Sequence, residues 1–159
     1  AGLTAAELAY ATTDELSVTN YEALTSDGFS KVAFFRNSLG MESRIELQFT
    51  ANLKTYAPAD VICRIEYNEK TVEIAGSEMT PLAATYYTAI FDQLPAKDVR
   101  TLVEVTFYDT NGNRLSETKT YSIESYAAYR LGDSSTAETL ADMLTAMMRY
   151  GDACKANFG

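Results

Sequence analysis

An immunoglobulin-like antiparallel β-sandwich, mainly β within the α+β class, is the fold this sequence predicts, with one short and one longer C-terminal helix packed on it. Three observations point there. Apolar and polar residues alternate in short stretches between Phe29 and Tyr121 without intervening helices. Turn residues punctuate those stretches, and after Tyr121 the apolar spacing changes to three and four.

Taken in order, residues 1–28 read as an N-terminal extension or linker, in which Thr4-Ala-Ala-Glu7 also fits the capping box of a short helix. Residues 29–159 read as a single module. Arg44 to Thr50 alternates strictly and places Ile45, Leu47 and Phe49 on one face. Val61, Cys63, Ile65 and Tyr67 repeat the pattern, and Asn68-Glu69-Lys70 turns the chain into Thr71–Ile74. Tyr86–Phe91 and Leu102–Tyr108 follow as strands. Asn111-Gly112 tolerates the positive φ of a tight turn and returns the chain along Arg114–Tyr121, giving about seven strands. Ile123–Leu131 is then a short helix between Ser122 as cap and Gly132 as terminator. Ser135-Thr-Ala-Glu138 forms a second capping box opening a longer helix, with Leu140, Leu144, Met147, Gly151, Cys154 and Phe158 along one stripe. Gly151 within that stripe implies close approach of another backbone or side chain.

The composition narrows the chemistry. The chain has no histidine, which removes imidazole-based nucleophilic catalysis, histidine metal ligation and histidine pH switching. A net charge of −9 opposes binding to phosphate backbones, so no nucleic-acid partner is expected. No apolar run approaches the ~20 residues of a membrane span, so membrane insertion is not expected either. The opening AGLTAAELAY lacks the basic and apolar regions of a signal peptide.

The C-terminal residues carry a resemblance. Tyr121-Ser-Ile-Glu-Ser-Tyr-Ala-Ala128, then Leu140-x-x-Met-Leu-x-Ala-Met-Met-x-Tyr-Gly-Asp-Ala153 and Phe158, resemble a pattern found in secreted, multi-modular proteins of anaerobic, largely gut-dwelling bacteria. That pattern reads approximately YS-x-x-SY, a short gap, then L-x-x-L-x-x-AM-x-x-YG-x-A-A-x-x-YF. Leu39–Phe49 is similar to its upstream "L-x-L-E-S-x-I-x-L-x-F" strand, and Tyr86–Val99 to its "YY-x-x-I-x-x-L-x-A-x-D-L" strand and corner. Cys154 and Asp152 stand where alanine is usual or common, and Asn157 where tyrosine often precedes the phenylalanine. The resemblance, over roughly residues 29–158, implies a non-catalytic accessory or adhesive module of a secreted or cell-surface protein. Such a module spaces or stabilises flanking domains or binds a glycan or surface protein. It supplies no catalytic residue and no cofactor.

Individual constellations carry alternative readings. Cys63 and Cys154 fall on apolar faces of a strand and of the helix expected to cover it; two buried thiols or a helix-to-sheet disulfide both fit, and the secreted origin implied by the resemblance permits the latter. Tyr87 and Phe91 share a face and form either an exposed aromatic platform, as a carbohydrate-binding module would use, or the seat of the long helix. Tyr126 and Tyr129 can meet on one helical face, where packing is the simpler role. Met143, Met147 and Met148 offer either an adaptable groove or core filling. Asp109-Thr-Asn111-Gly-Asn113 resembles a calcium loop in its alternating oxygens. It lacks the glycine and glutamate at the sixth and twelfth places and reads better as a polar hairpin, with no metal. Glu46, Glu104 and Glu117 lie on polar strand faces near Arg64 and Lys119, where cross-strand ion pairing is simpler than a pair of catalytic acids.

Overall fold

The computed structural model describes residues 28–41 and 45–158; the Thr4–Glu7 box and Arg44 lie outside them. Eight strands are found among the described residues: β1 (Ala33–Met41), β2 (Ile45–Asn52), β3 (Val61–Tyr67), β4 (Lys70–Ala75), β5 (Thr80–Ala83), β6 (Tyr86–Phe91), β7 (Val103–Asp109) and β8 (Lys119–Tyr121). They form two antiparallel sheets, ordered β1-β2-β6-β5 and β4-β3-β7-β8. Lettered A to G with β4 as C′, these are the ABED and C′CFG sheets of an immunoglobulin-like sandwich.

The differences from the sequence reading have local causes. In β1 the alternation breaks at Phe34-Phe35, because the pairing with β2 shifts register between Phe34 and Arg36. Phe35 is the extra residue of a β-bulge. Such an insertion re-aims one side chain, and here it hides the period of the strand. The stretch from Leu39 to Phe49 is a hairpin, not one strand, with Gly40 opposite Glu46. The short β5 carries Pro81 on a sheet edge, where a missing N–H costs no ladder bond, and is exposed along its length. Of the predicted strand 114–121, only Lys119–Tyr121 pairs regularly with β7. Upstream, the Ser116 hydroxyl accepts from Phe107 N at 2.9 Å, while Val32 N donates to Leu115 O at 2.7 Å, drawing the segment toward the other sheet.

The inner faces bury each other. Leu47, Phe49, Ala51, Ala89 and Phe91 from one sheet meet Val61, Cys63, Ile65, Val103, Val105 and Phe107 from the other. Three edge-to-face ring pairs cross the gap: Phe34–Phe107 at 5.3 Å, Phe49–Tyr121 at 5.9 Å and Tyr67–Phe91 at 5.0 Å. Each such contact adds about 1 kcal/mol beyond area burial. The Tyr121 hydroxyl also donates to Asn37 O at 3.3 Å, tying β8 to the β1 edge.

Because the sheets cover one another, neither inner face is left for a helix. The short helix α1 (Ile123–Leu131) is capped by Ser122, whose Oγ accepts from Ser125 N at 2.9 Å, and it buries Ile123, Tyr126 and Ala127. The long helix α2 (Glu138–Phe158) packs against α1 and the turn at Ala96–Asp98, at one corner of the sandwich. Its seat is therefore not Tyr87 and Phe91. A Cβ on Gly151 would fall 2.6 Å from Ala96 O and closer still to Val99, which accounts for the glycine. Arg100 fixes the same corner. Its Nε and Nη2 donate to the two Asp152 carboxylate oxygens at 2.7 and 2.9 Å, and its Nη1 to Glu124 Oε2 at 2.8 Å. That fork gives Asp152 its role, tying α2 to the corner through a bidentate guanidinium–carboxylate pair.

The buried positions of α2 are Leu144, Met148 and Gly151, with Leu140 and Met147 partly covered. Met143 is 48% and Phe158 78% exposed, so the stripe ends short of the C-terminus and turns toward Met148. The second capping box does not form. Ser135 N and Oγ both bond Asp133 Oδ1, at 2.9 and 2.8 Å, and α2 begins only at Glu138.

Candidate functional site

Following Tyr121, α1 leaves the edge of one sheet and runs beside β1, the edge of the other. Between them lies a groove of about 350 Å³ lined by Phe35, Arg36, Asn37, Ser38, Tyr121, Tyr126, Tyr129 and Arg130. Its rings come from two sources. The bulge turns Phe35 outward, 56% exposed, where it meets Tyr86 edge-to-face at 5.0 Å on the outer side of the first sheet. The spacing of three on α1 brings Tyr129, 59% exposed, to the same side as the buried Tyr126.

Both arginines lie over these rings at cation–π distance. Arg36 lies 5.8 Å from the Phe35 centroid, and Arg130 lies 5.4 and 5.7 Å from those of Tyr126 and Tyr129. Arg130 Nε also donates to the Tyr126 hydroxyl at 3.1 Å. That bond and the neighbouring phenols hold the guanidinium protonated even beyond its ordinary range. Rings for stacking, guanidinium donors, an amide and a hydroxyl thus line one concave surface, a combination suited to non-covalent binding of a flat, polar ligand.

The sequence-predicted site residues lie elsewhere. Phe91 is 2% exposed and packed on Tyr67, and Tyr87 is half-buried against the core on the same inward face. Tyr87 and Phe91 form no exposed platform, because β6 turns their face toward the second sheet and points Ile90 outward, 39% exposed. Tyr126 packs as expected, whereas Tyr129 does not. Cys63 and Cys154 are free thiols, so no disulfide joins them. Cys63 is sealed between the sheets, where burial pushes its thiol far up, while Cys154 is half-exposed on α2 beside Tyr150. Met148 fills the core, in keeping with the packing role of that methionine.

The polar constellations resolve into structure. Asp109 accepts from Asn113 Nδ2, Asn113 N and Asn111 N at 2.8–2.9 Å, which closes the hairpin and holds its carboxyl below the ordinary range. Among the described residues, no three histidine, cysteine, aspartate or glutamate side chains gather as metal ligands. Arg64 pairs with Glu73 across β3–β4 at 3.2 Å, and Lys119 with Glu117 at 3.1 Å. Glu104 instead stands opposite Glu66, both exposed, in an open concavity of about 370 Å³ that also includes Glu69 and Lys70.

The signals missed in sequence were the doubled Phe34-Phe35 inside a strand and Arg130 beside Tyr129; the Tyr126–Tyr129 spacing was legible, with packing as its simpler role. Comparison with protein-family models, curated proteins and solved structures finds no match for this chain. None of its described helices is long and apolar enough to cross a membrane.

Proposed function

We propose that this chain is a non-catalytic accessory module of a secreted or cell-surface multi-modular bacterial protein, working beside flanking domains and holding an extracellular glycan in the β1–α1 groove. One observation carries the reading: Phe35 and Tyr129, two exposed rings from different elements, frame a single groove with hydrogen-bonding groups between them. An aromatic ring receives the apolar C–H face of a sugar, while guanidinium, amide and hydroxyl groups exchange hydrogen bonds with its rim. The absence of histidine from the chain and the structural use of most of its clustered carboxylates favour binding over catalysis.

Affinity electrophoresis of the whole chain through a panel of polysaccharides tests this. At least one should retard the protein, and Tyr129→Ala should weaken that retardation roughly threefold to tenfold, the worth of one stacked ring. Retardation by none of them would leave a scaffold that only spaces or stabilises its neighbours.

A further inference from the structure

The groove is opposite in sign to the net charge of the molecule. The chain carries 22 acidic residues against 13 basic ones, yet among the described residues the groove is lined by Arg36 and Arg130 and by no carboxylate. Neither arginine forms an ion pair with a carboxylate among the described residues; their partners are rings and one phenol. Asp133 acts on Arg130 through space and does not line the groove; its Oδ1 accepts from Ser135 N and Oγ. Among the described residues that line the groove, the formal charges are therefore the two guanidinium groups.

Resting on the glycan reading above, we infer that the groove takes an anionic saccharide, its ring face on Phe35 and Tyr129 and its carboxylate or sulfate on Arg36 and Arg130. A guanidinium held over an aromatic ring still presents N–H donors at its edge, and those donors match the oxygens of a carboxylate or sulfate. A neutral sugar would use the rings and leave both charges without a counterpart.

Matched probes separate the possibilities. Retention of the whole chain is compared on polygalacturonate and its fully methyl-esterified form, on dextran sulfate and dextran, and on poly-aspartate. One or both charged polysaccharides should bind roughly tenfold or more tightly than the neutral counterpart, and which of them does so distinguishes carboxylate from sulfate. Poly-aspartate should bind far more weakly, because it brings charge without a sugar face. Arg36→Gln and Arg130→Gln should each collapse the charged-over-neutral ratio, while circular dichroism confirms that both variants remain folded. Equal retention on charged and neutral members of each pair would overturn this inference and leave the glycan reading standing. Equal retention on poly-aspartate would overturn it in favour of a general anion patch. Retention on none would remove the glycan reading as well.

Discussion

Individual residues are governed here by which side of the sandwich they face. Cys63 points between the sheets and Cys154 lies half-exposed on a helix at the corner, so the two differ in reactivity. Under native conditions without reductant, iodoacetamide should modify Cys154 and spare Cys63; after denaturation, intact mass should show both modified. Two unmodified cysteines in the denatured sample would reveal a disulfide. Asp109 makes a second prediction. Its carboxylate is held below the ordinary value of about 4 chiefly by the Asn113 amide group, so the hairpin's contribution is complete above that value and lost as pH falls through the folded one. In an NMR titration Asn113→Ala should move the Asp109 midpoint upward, and an unchanged midpoint would contradict the assignment. This hairpin was legible in the sequence because Asp, Asn and Gly act on their immediate neighbours. Phe35 was not, because a bulge depends on register with a partner strand.

Elements show the same division between local and long-range causes. The limits of α1 were readable from Ser122 and Gly132, since capping is local chemistry. The seat of α2 was not, because the apolar stripe says only that something must cover it. Gly151 tests the observed seat by the sign of an effect. In a solvent-exposed helix Gly→Ala is stabilising by up to about 1 kcal/mol. Against Val99 and Ala96 O the added methyl overpacks the corner, so Gly151→Ala should instead destabilise by about 1–2 kcal/mol, and Gly151→Val by about 2–3. Urea denaturation measures both. A gain in stability for the alanine variant would mean that the helix is not docked there. Arg100, which joins Asp152 and Glu124 at the same corner, had no readable role, because its two partners come from distant helices.

At the scale of the whole molecule, the sandwich followed from alternation in β2, β3, β6 and β7, the four central strands of the two sheets. Of the edges, β4 and the end of β8 were also legible, whereas β1 and β5 were not, and β1 is one wall of the groove. β1 borders one sheet, β8 borders the other, and α1 continues β8 alongside β1. The groove is therefore a product of topology, with Phe35 and Tyr129 far apart in sequence and brought together only by the closing of the two sheets. Choosing Tyr87 and Phe91 as a platform failed for the matching reason: facing within β6 depends on where the second sheet lies. Tyr129→Ala should keep stability within about 0.5 kcal/mol, as expected for an exposed ring, so loss of binding in that variant reports on the groove itself.

The most direct measurement is an amide NMR titration of the whole chain with galacturonate and sulfated-dextran oligosaccharides, each in turn. Shifts should concentrate at Phe35–Ser38 and Tyr126–Arg130, with the outer face of β3, β4 and β7 left unchanged. Perturbations centred on the Glu66–Glu104 concavity, or none at any residue, would contradict the placement of binding between β1 and α1.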